Sequence, residues 1–375
     1  MDFDLSEEQA AIAELAGKLL GDKATPEAIR ALEKADGEAG EMRVDGDLWS
    51  AMAEAGLLGV TVPEEHGGAG LGLLELCLVL EEVGRRTAPV PALAALGLAA
   101  PAIVRFGNDE QQARLLPLLV GGTFVPTAAL VEPLGDPLRP TTTARPAGDG
   151  WEIEGTKTNV PAGMVADAAL VPATTPDGSV GVFVVVLPSP AVTRARQDTT
   201  TGTPEAQLVF EGVRVGPQAM LGPIDAEGTV LRWLVEHATV ATCAVMAGVA
   251  AEALHITGEY TSSREQFGRP IATFQAVGQR AADAYVDTQA VRLTMLQAAW
   301  RLSMGLDASR EVAVAKYWAA AGGQRVVHAA QHLHGGVGVD RDYPLHRYFL
   351  LAKQLELSLG GANRQLATLG RLLAE

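Results

Sequence analysis

The chain has 375 residues, 48% of them hydrophobic and only 20% charged, which excludes a disordered chain and gives enough length for two or three domains. Its formal charge of −16 argues against nucleic acid or an anionic membrane as a partner, although a local basic patch would still hold a small anion. Two cysteines, Cys77 and Cys243, support no disulfide framework and fit buried thiols in a reducing cytoplasm. The amino terminus is acidic without a signal-peptide pattern. Apolar stretches at 71–80 and 90–104 are broken by glutamate or proline, so no membrane span is expected.

Residues 1–120 read as helices. Ser6 before two glutamates is an N-cap, and Ile12, Leu15, Leu19 and Leu20 recur at helical spacing. A second helix is expected over 47–58, then a glycine-rich loop over 60–72. Helices over 73–84, 92–106 and 109–120 follow, with Gly107-Asn108 as a break. From Gly121 the texture changes to Thr, Val, Pro and Gly. Strands are expected over 151–155, 168–174, 180–187 and 206–215, with Pro176-Asp-Gly178 as a turn. Beyond Glu227 long Ala/Leu-rich helices return, broken near 268–270, 305 and 335–338 into about four, as in an antiparallel bundle. The stripe Leu231, Leu234, Val240, Val245, Val249 and Leu254 reads as its core. The expectation is an α+β chain in three parts: helices over 1–120, a small β barrel or sandwich over 121–220, and a helical bundle over 221–375.

Two segments carry the functional signal. His334-Gly-Gly-Val-Gly-Val-Asp-Arg-Asp-Tyr-Pro-Leu-His-Arg347 puts paired glycines at a corner between helices, where bare N–H groups can contact phosphate or flavin. Upstream stand Arg264-Glu-Gln-Phe-Gly-Arg-Pro-Ile271 and then Phe274-Gln275. In that order, these segments resemble the acyl-CoA dehydrogenase family of flavoproteins. Gly56-Leu-Leu-Gly-Val-Thr-Val-Pro-Glu-Glu-His-Gly-Gly-Ala-Gly-Leu-Gly72 looks like the family's N-terminal loop. Gly155-Thr-Lys157, Gly163 and Ala166-Asp167 look like part of its β-domain signature, so the resemblance covers essentially the whole chain.

That resemblance implies α,β-desaturation of an acyl-CoA thioester with FAD: a carboxylate takes the α-proton while a hydride leaves the β-carbon for the flavin. It implies that Arg264 meets the pyrophosphate, with Gln266 nearby and Phe267 packed on the cofactor. Phe274 and Gln275 form the next turn of that wall, and His332, Leu333, His334, Gly335 and Gly336 lay backbone along the diphosphate. Gly361 and Asn363 complete the cofactor set. In the family these residues serve a flavin seated mainly in the neighbouring subunit. His332 stands where the family usually has glutamine. The plainer reading is that Arg264 caps a helix C-terminus and Gly335-Gly336 is only a turn.

The departures matter as much. Val131-Glu132-Pro133-Leu134-Gly135-Asp136 lacks the hydroxyls of the family's flavin-ring signature. After Lys157 the chain runs Thr158-Asn159-Val160-Pro161-Ala162, without the usual tryptophan and with a proline where an N–H and a hydroxyl would face the ring. Trp151 reads as strand packing. The usual catalytic glutamate position falls on Leu359, and the earlier-helix position used by some branches falls on Ala238. Glu356 and Glu236 are candidates for a displaced base, though solvated or ion-paired helix carboxylates are the plainer reading. The histidines His328, His332, His334 and His346 lack the company of a metal site, and no Gly-x-Ser-x-Gly turn is present.

Contacts lent to a neighbour survive while ring and base signals are gone. The leading expectation is therefore the base-lacking subunit of a heterotetrameric (α2β2) acyl-CoA dehydrogenase. It resembles those of actinobacterial steroid side-chain breakdown, whose C-terminal signature the run from His346 to Gly361 looks like. The partner would be a homologous base-carrying subunit, the substrate an acyl-CoA, and an electron-transfer protein a further partner. Two other readings stay open: a self-sufficient flavoenzyme with a displaced base, and a flavin-free scaffold subunit.

Overall fold

The computed structural model describes residues 4–35 and 43–374. Helix α1 (Glu7–Lys23) starts with a capping box: Ser6 Oγ accepts the Gln9 N–H at 3.2 Å, and Gln9 Oε1 accepts the Ser6 N–H at 3.1 Å. Helix α2 (Pro26–Ala35) escaped the sequence reading. Its leading proline is a good first helical residue because that position needs no N–H. Helix α3 (Gly46–Glu54) is capped by Asp45. The helix expected over 47–58 is split by Gly56 at φ 75, which leaves Leu57–Gly59 as a separate 3-10 turn. Helix α4 (Leu73–Arg85) follows. The stretch expected as one helix over 92–106 is π-helical over Leu93–Ala99 and becomes α5 only at Ala100–Phe106. Pro101 explains the change, since its ring would strike the carbonyl four residues back in a regular helix. Helix α6 (Asp109–Val120) carries the Asn108/Gln111 capping box.

The middle of the chain forms one curled seven-stranded sheet. Its strands are β1 (Pro126–Ala128), β2 (Thr143–Ala147), β3 (Gly150–Val160), β4 (Ala168–Thr174), β5 (Val180–Val186), β6 (Val192–Arg196) and β7 (Ala206–Val215), in the order β1-β4-β2-β3-β7-β6 with β5 paired to β4. Ile153, Val160, Val171, Phe183, Leu208 and Phe210 make its core, and Trp151 packs against Phe183 at 5.6 Å.

The chain closes with α7 (Thr229–Ser263), a short hairpin of β8 (Glu265–Gln266) and β9 (Arg269–Pro270), then α8 (Gln275–Ser303), α9 (Ser309–His334), α10 (Leu345–Leu357) and α11 (Ala362–Ala374). The final corner at 358–361 adds a helix to the four expected. The architecture is α+β: N-terminal helices, a middle sheet and C-terminal helices. Helix α7 is long and apolar enough to cross a membrane, but 78% of its apolar window is buried, as in a core helix.

Two compact units each draw on separated stretches. One comprises residues 1–28, 77–88 and 239–375, the other residues 29–76 and 89–238. In the first, alanine and glycine let helices approach closely. Ala250, Ala284, Val326 and Ala329 from α7, α8 and α9 form one cluster. A Cβ on Gly248 would overlap the Glu81 carbonyl oxygen, and one on Gly84 would overlap that of Val245. Gly248→Ala is therefore expected to cost about 2–4 kcal/mol of stability by forcing α4 and α7 apart. Gly258→Ala on the same helix, with nothing within 4 Å of the new methyl, should leave the thermal midpoint unchanged or raise it slightly.

Candidate functional site

Three elements of the first unit carry the residues that resemble a dinucleotide seat. Between β8 and β9 the turn residues Phe267 and Gly268 have φ 56 and 73. Two left-handed residues in a two-residue hairpin make the turn whose twist matches paired strands. Phenylalanine is strained there, yet its ring is 92% exposed at the hairpin tip. Phe274 meets it edge-on at 6.1 Å and carries the Arg269 guanidinium 4.4 Å above its ring. Arg264 and Gln266 lie exposed beside this pair, and Gln275 opens α8 exposed as well.

The second element is the corner at the end of α9. Gly335 has φ 61 and ψ −134, a conformation that suits glycine, and nothing lies within 4 Å of a Cβ on Gly335 or Gly336. The corner is an open strip of backbone. His332 is exposed and Leu333 half-buried, whereas His334 is buried. Its Nδ1 lies 2.8 Å from the Ala330 carbonyl, its Nε2 3.2 Å from the Tyr343 hydroxyl, and its ring stacks on Tyr260 at 4.4 Å. Burial pushes its pKa down, so the neutral ring donates from Nδ1 and accepts from Tyr343. The His334 side chain thus anchors the corner, leaving only its backbone for a ligand.

The third element is the corner between α10 and α11. Leu359 has φ 54 and Gly360 φ 98. Gln365 Nε2 donates to the Leu359 and Gly360 carbonyls at 3.2 and 3.3 Å. The buried Lys316 ammonium caps the end of α10 by donating to the Leu355 and Glu356 carbonyls at 2.8 and 3.1 Å. Gly361 is half-buried and Asn363 exposed. The Glu356 carboxylate is held by Lys353 at 2.5 Å, as an ordinary ion-paired helix carboxylate is. Ala238 is fully buried, and Glu236 is half-buried on α7.

The β-domain segments lie in the other unit and are built differently. Glu132 accepts from Lys157 Nζ at 2.7 Å and from the N–H and hydroxyl of both Thr141 and Thr142, so one carboxylate clamps the two ends of the loop 133–140. Burial raises the Glu132 carboxyl, but the Lys157 charge and the hydrogen bonds outweigh it and hold the pKa at about 2. Burial pushes Lys157 down, opposed by Glu132, to about 8. Further along β3, the pairing with β7 slips between Lys157 and Val160. There the Thr158 N–H goes to the Val131 carbonyl at 2.9 Å, the Asn159 N–H to Gln197 Oε1 at 2.5 Å, and the Pro161 carbonyl accepts the Thr127 hydroxyl at 2.6 Å. Glu205 is buried nearby, and burial raises its carboxyl to about 7 against a hydrogen bond with the Asn159 side chain.

FAD fits these residues in one half only. An exposed arginine, an exposed Phe267 backed by a half-buried Phe274, and an open glycine corner suit an adenine-diphosphate moiety. The segment 158–161 does not suit a flavin ring, since proline has no N–H and the Asn159 donor is spent on Gln197. Sequence reading missed Gln197, Glu205 and Lys316, whose partners lie 38, 46 and 39 or more residues away and leave no local pattern.

Comparison with known proteins places this architecture. Residues 6–123 match the acyl-CoA dehydrogenase N-terminal domain and residues 227–374 its C-terminal domain. The acyl-CoA dehydrogenase FadE27 of Mycobacterium tuberculosis is 42% identical over 100% of this chain and 99% of its own length. A solved Tcur3481–Tcur3483 steroid ACAD variant is 45% identical, with a TM-score of 0.91 over 98% of both chains. The ChsE4–ChsE5 complex from Mycobacterium tuberculosis is 41% identical, with a TM-score of 0.93 over 100% of this chain and 99% of that one. With its helical, sheet and helical segments matched end to end, the chain belongs to the acyl-CoA dehydrogenase family, whose members are FAD-dependent oxidoreductases.

Proposed function

We propose that this chain is the base-lacking subunit of an FAD-dependent acyl-CoA dehydrogenase, assembled with a homologous subunit that carries the base, two copies of each. The observation that carries this reading is Leu359. The α10–α11 corner keeps a left-handed residue followed by Gly360, but the side chain there cannot take a proton. When bound, FAD would accept the hydride that leaves the β-carbon of the acyl thioester. This chain's part is to hold the cofactor's diphosphate end: Arg264 supplies charge, Phe267 and Phe274 an aromatic wall, and Gly335-Gly336 a side-chain-free corner that a ligand can approach closely, with Gln266, Gln275, His332 and Leu333 completing that end and Gly361 and Asn363 assigned to the cofactor from the α10–α11 corner. The steroid ACAD and the two-component complex among its relatives favour a bulky steroid side-chain CoA as substrate. Electrons would pass on to an electron-transfer protein, and charge and cysteine usage point to the cytoplasm.

Glu356→Gln and Glu236→Gln, each made in the complex purified with its partner, test the assignment of the base. Turnover of an acyl-CoA should stay within about twofold of wild type for both. A loss of about 100-fold or more, the ordinary cost of removing a general base, would make the altered glutamate the base and this chain a self-sufficient enzyme.

A further inference from the structure

Where the family seats a flavin ring, this chain's hydrogen-bonding groups are turned on one another. The slip between β3 and β7 at Thr158 and Asn159 frees backbone groups that a ladder would otherwise pair. Gln197 follows directly on β6, and its N–H donates to the Glu205 carbonyl at 2.9 Å, so its position is fixed by the sheet. From there its Oε1 accepts the Asn159 N–H at 2.5 Å, and its Nε2 donates to the Thr158 hydroxyl at 2.9 Å. Asn159 is left-handed at φ 49, and the buried Glu205 holds its side chain. Backbone and side chain of one residue are thus gripped from two sides. Two positions further, Pro161 offers no N–H, and its carbonyl is bonded to Thr127.

We propose that Gln197 is a latch that closes this chain's own flavin-ring seat from within, so that its β domain accepts no isoalloxazine while its C-terminal unit still serves a neighbour's cofactor. The inference rests on the subunit reading above and explains how one chain can be both a flavin-enzyme component and unable to hold a ring. A polar cluster whose donors and acceptors already satisfy one another offers nothing to an incoming ring, which would have to break two hydrogen bonds to enter.

Lumiflavin, the ring without ribityl phosphate or adenosine, isolates the question. Titrated with the full-length chain and followed by fluorescence, it should show no saturable quenching with wild type or with Gln197→Glu, which keeps the acceptor for Asn159. Gln197→Ala, alone or with Pro161→Thr, should gain saturable binding at least about tenfold above wild type. Saturable binding by wild type overturns the latch, as does failure of both folded alanine variants to gain binding. A complex with the base-carrying partner that holds no FAD would instead overturn the subunit reading and leave the latch standing, so the two failures are distinguishable.

Discussion

Phe267→Gly is expected to raise the thermal midpoint of the lone chain and to weaken FAD binding in the assembled complex. The two effects have one origin. Phe267 sits in a left-handed turn position that costs a bulky residue about 1–3 kcal/mol, and its ring, 92% exposed, regains little from contacts within the chain. Glycine removes that strain, so stabilisation of about 1 kcal/mol is expected. In the complex the same change deletes the aromatic wall, and Arg264→Ala deletes the charge beside it. Loss of a desolvated charge contact is worth about 2–4 kcal/mol, so Arg264→Ala should weaken FAD retention on the order of 100-fold. Equilibrium dialysis of FAD against the complex, with melting curves of the lone chain, reads both effects. If Phe267→Gly destabilised the lone chain and left FAD retention unchanged, the hairpin would be a folding element and nothing more.

The second large effect concerns the Glu132–Lys157 clamp. Lys157 is fully buried and its ammonium bonds Glu132 at 2.7 Å. Glu132→Gln should therefore cost about 3–5 kcal/mol by stranding a buried charge. Lys157→Met should cost less, because the Thr141 and Thr142 donors still satisfy the carboxylate. The double variant should cost less than the sum of the singles. Acid adds a signature with a definite sign. The folded carboxyl titrates at about 2 against an ordinary 4.5, so its stabilisation is complete above the unfolded value and is lost as pH falls from 4.5 towards 2. That loss is on the order of 3 kcal/mol. Denaturant titrations of wild type and Glu132→Gln across this window should show the slope in the first and a flatter profile in the second.

Much of the fold is legible in the residues, for reasons that are local. β4 and β7 occupy the limits expected for them, and α6 begins at the residue its Asn108 cap dictates. β1 is three residues long, β2 carries an exposed arginine and β6 two half-buried ones, so no periodicity announces them. The grouping of α1 with the C-terminal helices in one compact unit depends on pairings between distant stretches that no local pattern records. The site divides in the same way. The strained hairpin and the glycine corner are each written in a few consecutive residues, and so is the leucine at 359. The burial of His334 against Tyr260 and Tyr343, the Lys316 cap on α10 and the Gln197 grip on Asn159 join residues far apart, and only the folded chain brings them together.

A flavin count tests the central claim most directly. The chain is purified alone and together with its base-carrying partner, and FAD released on denaturation is measured against total chains. The lone chain should carry almost no flavin and show no desaturation, and an active complex should hold half as many flavins as chains. One flavin for every copy of the lone chain, with acyl-CoA desaturation to match, would contradict that claim.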